Sequence, residues 1–488
     1  MRQLVRNALT GNRNSAQGES AGLSVGPEQL APRDAVFVYD ETDRHLSNII
    51  AVYAFTASTP LTYEQVTEWM QARLGLSKLF HRRLQRVPMD LDLPYWVSDP
   101  ILDLRDHVFL STPATWDDAR RVIADLTSTR MDLSRPPWEL HVLDQVGDVP
   151  GQSGDTTFVV LKFHHSVGDG VATRELELKL FGDGPLYPPA QLDPRWPTLT
   201  TALHTADALT LGTLRFATGL RRTRPAATEV ESHADSDKLH QPLPHRPATR
   251  FNRPIKHPLT FDLVTIPLAE VLKAKANSRF RITLNDLMLA TIAGALSTYL
   301  SEKNELPTGS LAAMVPMSMR PITTWTSANQ LVQMYVDLHT DIDDPIERLQ
   351  AIRNSATLEK QRNSAQSVLR TESRVETSPS WLLRLAGWAR SQRSFEAAET
   401  VPLVNTTISN VPPVATALEF CGRPIARIFG VLPTMDGDGL RHLITSQGDE
   451  IVICFSSDDA MMPDPDHYRS LILGAFRELA GSLSPVQQ

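Results

Sequence analysis

A strand-like run, Thr157 to Phe163, leads straight into His164-His165-Ser166-Val167-Gly168-Asp169-Gly170, and helical spacing follows from Val171 to Phe181. No other stretch limits the fold as much. A buried strand that stops at two histidines, turns through Gly-Asp-Gly and restarts as a helix places an imidazole at the mouth of a sheet. Imidazole, with an unperturbed pKa of roughly 6.5, is the side chain best suited to proton transfer near neutrality. Gly168 and Gly170 let the backbone turn sharply at little steric cost. Asp169, an acceptor only when ionised, suits a cationic partner or backbone N–H groups. Side chains alternate along a strand, so the two histidines point to different sides. His165 is expected to be the acid–base group and His164 a structural one. A metal site is not expected. Adjacent histidines do not share a helix face as an i, i+4 pair does, and Cys421 and Cys454 lie far downstream, well apart. His81, His107, His141 and His442 read as satisfied core residues.

At 488 residues the chain exceeds one ordinary core, and two domains of roughly 200 residues are the natural expectation. A hydrophobic content of 41% with 21% charged residues describes a globular protein. A formal net charge of -8 argues against a nucleic-acid partner, which would call for a basic face. Two cysteines cannot form a disulfide framework and suggest a reducing compartment, with a single bridge as the alternative, and a cytoplasmic location is expected. No apolar run approaches the 18 or so residues of a membrane span. Residues 1–27 are polar and read as a flexible tail, and 185–258, rich in proline, as a crossover linker with a helical segment at Ala202 to Arg222. Strand and helix patterns alternate on both sides of that linker, in 28–184 and 259–488. Thr283 to Leu300 is a long buried helix with Asn285 and Asp286 in its first turn. Trp381, Leu382, Leu385 and Trp388 share one helical side, with Arg384, Arg390 and Arg393 nearby. That pattern fits a helix lying on a membrane surface and, more commonly, one packed on its own domain.

Other chemistries lack their structural context. Gly22-Leu23-Ser24-Val25-Gly26 lies in the polar tail, without the strand and helix a nucleophile elbow needs. Gly437-Asp438-Gly439 and Gly182-Asp183-Gly184 lack the third glycine of a dinucleotide fingerprint, and no Walker loop is present.

The turn resembles the HHxxxDG signature of the wax ester synthase/diacylglycerol acyltransferase family, and the likeness extends beyond it. Pro32-Arg33-Asp34-Ala35-Val36-Phe37 is similar to that family's Asp-Ala-x-Phe segment. Arg135-Pro136-Pro137-Trp138-Glu139 resembles its Arg-Pro-Leu-Trp-Glu segment, with Pro137 where leucine is usual. Asn285-Asp286-Leu287-Met288-Leu289-Ala290, Val315-Pro316-Met317-Ser318-Met319-Arg320 and Ser409-Asn410-Val411-Pro412 match further landmarks, all in family order.

The resemblance implies an α/β fold of two chloramphenicol-acetyltransferase-like domains, each a mixed sheet covered by helices, with an inter-domain tunnel. Residues 28–184 would form the N-terminal one, carrying the signature, and 259–488 the C-terminal one. It implies acyl-CoA as co-substrate, diacylglycerol or a long-chain alcohol as acceptor, and no cofactor. His165 would act as general base in direct acyl transfer. The oxyanion would need preorganised donors; Asn285 is the first candidate, with helix N-capping as its competing role, and Ser409 and Asn410 come next. The resemblance also implies that Asp169 holds the loop through an arginine, for which Arg83 and Arg320 both qualify. Lipid substrates imply peripheral contact with a membrane or lipid-droplet surface. Two alternatives stand beside this reading: a condensation-type acyltransferase with a carrier-bound or polyketide-like acceptor, and a catalytically silent lipid-binding or droplet-coating protein.

Overall fold

The computed structural model describes residues 23–193, 212–221, 223–230, 241, 243–323, 325–393, 395, 401–412 and 417–484. The elements that build the two large sheets and the site start with helix α1 (Pro32–Asp40), strands β1 (Asn48–Thr56) and β2 (Val108–Ser111), and helix α2 (Trp116–Ser128). Strands β3 (Trp138–Val146) and β4 (Thr156–His164) follow, then helix α3 (Gly170–Phe181). Next come β5 (Leu259–Pro267), α4 (Leu284–Glu302), β6 (Ala312–Ser318) and β7 (Leu331–Asp337). Helices α5 (Pro345–Ser364) and α6 (Ser380–Ser391) precede β8 (Thr406–Asn410), β9 (Glu419–Phe420) and β10 (Arg423–Val431). Strands β11 (Leu440–Gln447) and β12 (Glu450–Asp458) lead to α7 (Pro465–Leu483).

These strands build two six-stranded mixed sheets, ordered β9-β10-β1-β4-β3-β2 and β5-β12-β11-β8-β6-β7. In the first, β4 runs antiparallel to both neighbours and is buried along its whole length. Its Val159, Leu161 and Phe163 enter one core with Leu176, Leu180 and Phe181 of α3. Phe158 and Val160 face the other way, into a core shared with Leu259, Phe261, Val452 and Cys454 of the second sheet. Strict alternation explains how one strand serves both cores. A third core is built around α4, with Phe455, Tyr468 and Ile472 packed into it. Helix starts follow their caps. Asp169 caps α3 through Val171 and Ala172, and Thr283 and Asp286 form a reciprocal capping box on α4. Asn285 is therefore not the cap.

The two sheets do not divide the chain cleanly. β9 and β10, from the C-terminal part, complete the first sheet, where β10 pairs antiparallel with β1. Part of the expected linker is built into the second unit: Phe251 is buried in its core and Arg246 pairs with Asp337. Residues 1–22 of the expected tail lie outside the described residues, as do 202–211 of the expected linker helix; 212–221 are helical. Ser24–Val25, at the end of that tail, pair in parallel with Gln191–Leu192. Cys421 and Cys454 are free thiols. No helix among the described residues is long and apolar enough to cross a membrane.

Candidate active site

His164 ends β4 fully buried. Its Nδ1 accepts the Ser166 backbone N–H at 3.2 Å and sits 2.7 Å from the Ser166 hydroxyl. A peptide N–H can only donate, so the proton belongs on Nε2, which lies 3.5 Å from Glu41 Oε1. That contact is within ion-pair range without hydrogen-bond alignment. Burial works to raise the pKa of Glu41, but His164, Arg130 and the Ser47 N–H outweigh it and hold the carboxyl below its usual value.

His165 opens the turn. Its backbone N–H donates to Ser47 O at 2.7 Å, and its ring stacks on Phe37 with centroids 4.7 Å apart and planes at 10°. Nδ1 faces Asn329 Oδ1 at 3.4 Å. The orientation of that amide is fixed by its other end. Asn329 Nδ2 donates to Asp34 Oδ1 at 2.9 Å and to the His165 carbonyl at 2.7 Å, two groups that can only accept. Oδ1 must then point at the ring, so Nδ1 carries the proton and Nε2 keeps a lone pair. Nε2 has no partner among the described residues and is not sealed from solvent. The ring is half-buried by area yet surrounded by protein. Burial lowers its pKa from 6.5 to about 4, against the Asn329 hydrogen bond and Asp169, with His164 and Arg441 adding repulsion. The imidazole is neutral at physiological pH, the form a general base requires.

Helix α1 supplies one wall. Asp34 and Phe37 lie three residues apart, and Glu41, four further on at the C-cap, continues the same helical face. Asp34 accepts the Ala328 and Asn329 backbone N–H groups as well as the Asn329 amide, each at 2.9 Å. Its carboxyl pKa is raised by burial despite those bonds. The stretch between β6 and β7 supplies an adjoining wall. Arg320 Nη2 donates to Asp169 Oδ1 at 2.8 Å and the Gln330 N–H to Oδ2 at 2.9 Å. Arg320 is thus the partner of Asp169, while Arg83 bonds Gln85 instead. Asp169 accepts four hydrogen bonds, two from its own helix and two from the other unit, so the turn is clamped across the junction.

The glycines differ. Gly168 has φ +159, and an added Cβ would stand 2.7 Å from Ala172 Cβ. Gly170 needs no unusual backbone; its Cβ would meet Val411 Cγ2 at 3.4 Å, ordinary contact distance. The expectation that both glycines serve the sharp turn holds only for Gly168. Val411 brings the Ser409–Pro412 turn against the histidine turn, but Ser409 and Asn410 make no hydrogen bond to His165. The side chain of Asn285, second in α4, likewise makes no hydrogen bond to a described residue. Asn329, Asp34, Phe37 and Glu41 went unassigned in the sequence. Asp34 and Phe37 were visible only as a landmark, and Asn329 carried no local signal at all.

His81 and His107 are satisfied by backbone carbonyls, His141 pairs with Glu139, and His442 reaches Tyr468 Oη at 3.0 Å. Among the described residues no cluster of His, Cys, Asp and Glu could hold a metal. A cavity of about 190 Å³ between the sheets is lined by Ala54, Trp116, Phe158, Leu263, Arg427 and Phe429. It lies at the far end of β4 from His165.

Residues 30–288 match the wax ester synthase/diacylglycerol acyltransferase catalytic domain and residues 327–480 the C-terminal domain of the same family. A putative diacylglycerol O-acyltransferase of Mycobacterium tuberculosis is 26% identical over 90% of this chain and 87% of its own. The structure of the wax ester synthase/diacylglycerol acyltransferase from Marinobacter aquaeolei VT8 matches 93% of this chain and 100% of that chain, with a TM-score of 0.61 at 20% identity. A condensation domain of the Monacolin K polyketide synthase matches 94% and 98% with a TM-score of 0.54 at 13% identity, a likeness of fold alone.

Proposed function

The chain belongs to the wax ester synthase/diacylglycerol acyltransferase family, and from that premise we propose that it moves a long-chain acyl group from acyl-CoA to the hydroxyl of diacylglycerol or a long-chain alcohol. His165 Nε2 takes the hydroxyl proton as the oxygen attacks the thioester carbonyl carbon. The tetrahedral intermediate then collapses, the C–S bond breaks, and the imidazolium returns its proton to the leaving CoA thiolate. No acyl-enzyme and no cofactor beyond the co-substrate is needed. Asn285 remains the proposed oxyanion donor, since Thr283 and Asp286 leave its amide free of capping duty. Asn329 and Asp34 act as positioning residues behind the base. Substrates would reach His165 through a passage between the two units, and peripheral contact with lipid follows from acceptors dissolved in it.

The observation that supports this reading best is the forced orientation of the Asn329 amide, which puts the proton on Nδ1 and frees Nε2. Purified protein given labelled palmitoyl-CoA should form ester with dioleoylglycerol or hexadecanol and release CoA. His165→Ala should lower that rate by roughly 10²–10⁴-fold while leaving the fold intact. Turnover of carrier-bound thioesters alone would move the reading to condensation chemistry, and a well-folded His165→Ala keeping more than half the rate would remove the base.

A further inference from the structure

Helix α6 buries one side and leaves the other bare. Leu383 and Gly387 face inward, and Gly387 sits directly on the Tyr39 carbonyl of α1, where any Cβ would clash. On the opposite side Trp381, Leu385 and Trp388 recur at spacings of four and three, one stripe on a helix. They are 42%, 51% and 60% exposed. Met89, 80% exposed, stands beside them on a turn fastened to α6. There Arg384 Nη1 donates to the Met89 carbonyl at 3.1 Å and Ser380 Oγ to the Asp90 carbonyl at 2.8 Å. The helical stretch 212–221 runs close to the start of α6, with Gly219 against Thr377, and exposes Leu214 and Leu220. Nothing among the described residues covers the stripe, and a contiguous bare patch of this kind marks an interaction surface.

The fringe of the patch is cationic. Arg215, Arg221, Arg384 and Arg393 are exposed around it, in a chain whose net charge is -8. The nearest acids are already engaged, Asp40 by Arg390 and Asp90 by Arg86 at 2.9 Å and more loosely by Arg384 at 3.7 Å, which leaves Arg215, Arg221 and Arg393 as the fringe cations with no ion pair to a described residue and Arg384 58% exposed. A second copy of the chain would bring arginine against arginine. We propose that this face docks on an anionic phospholipid surface, with Trp381, Leu385, Trp388 and Met89 entering the headgroup–acyl boundary and the arginines meeting phosphates. Indole, apolar in body with one polar N–H, is suited to that depth. α6 lies on α1, and α1 carries Asp34 and Phe37, so docking would hold the histidine turn one helix away from lipid. The purpose of the face rests on the proposed lipid acceptor; its recognition does not.

The test uses the full-length protein and sucrose-loaded vesicles of phosphatidylcholine, with and without phosphatidylglycerol. Wild type should sediment with the anionic vesicles and release as salt rises. Trp381→Ser/Trp388→Ser should lose at least about tenfold in partitioning with an unchanged thermal midpoint. Arg384→Gln/Arg393→Gln should lose the preference for phosphatidylglycerol. Equal partitioning of wild type and the tryptophan variant overturns the proposal. So does a wild-type dimer that the tryptophan variant dissociates while neither form binds vesicles. With a water-soluble short-chain alcohol as acceptor, the tryptophan variant should keep the wild-type rate, and it should slow only on diacylglycerol held in vesicles. A protein that docks but transfers no acyl group would sink the proposed function and leave the docking face standing; one that transfers but never docks would do the reverse.

Discussion

Asn329 does for His165 what no neighbour in sequence does: it holds the ring's Nδ1–H and is itself held by Asp34. Asn329→Ala should therefore lower kcat by about tenfold or more with little change in KM, because a ring free to flip presents the wrong nitrogen. A loss confined to KM would count against the positioning role. The pH behaviour follows from burial. The folded-state pKa of His165, about 4, lies below its ordinary 6.5, so the unfolded chain takes up the proton first as pH falls. His165 thus costs stability progressively between pH 6.5 and about 4, and His442, lowered to about 3 by burial, acts in the same sense. In kcat/KM, which reports the free enzyme, the acid limb should fall well below pH 6.5. An inflection at or above 6.5 would contradict the proposal that His165 is a base kept neutral by the fold. The histidine pair was legible from its place after a strand, whereas Asn329 was not. Its role depends on a contact across 164 positions of chain, and nothing in Ser327-Ala328-Asn329-Gln330 announces it.

At the scale of elements, β4 and α3 were readable because Phe158–Phe163 is apolar but for Lys162 and α3 follows a turn that only a few residue types can make. Helix α1 was harder to see, since Ala31 at its N-cap provides no side-chain hydrogen bond and its start is marked only by Pro32 and by Asp34 in the first turn. Strand β11 carries a weaker pattern, since its Arg441 and His442 interrupt the apolar run. The turn between β4 and α3 makes its own prediction. Gly168→Ala should destabilise the protein and cut activity sharply, because its new methyl group would overlap Ala172 within the first turn of α3. Gly170→Ala should be mild, meeting Val411 at an ordinary distance. Circular dichroism melting of the two variants side by side checks this; equal losses would mean that the crowding at Gly168 is not what the turn depends on.

The two large sheets are tied to each other at more than one place. Asp169 with Arg320, and Asp34 with Asn329, fasten the histidine turn and α1 to the stretch between β6 and β7. β10 fastens the first sheet to the C-terminal part. That exchange was not legible, because a strand's pattern tells that it is a strand and not which sheet it joins. A fragment of residues 23–258 should fail to fold alone, lacking the partner of β1 along Ile50–Phe55. Calorimetry of the intact chain should show one transition; a soluble, cooperatively melting fragment would refute the dependence. The same strand sets a clock on biosynthesis. All the parts of the histidine turn's own strand leave the ribosome early, yet β1 waits for β10 through most of the remaining translation, on the order of tens of seconds at ordinary elongation rates. Through that interval a long apolar edge stands unpaired, so a nascent chain of this architecture has its greatest need of a chaperone before β10 is made.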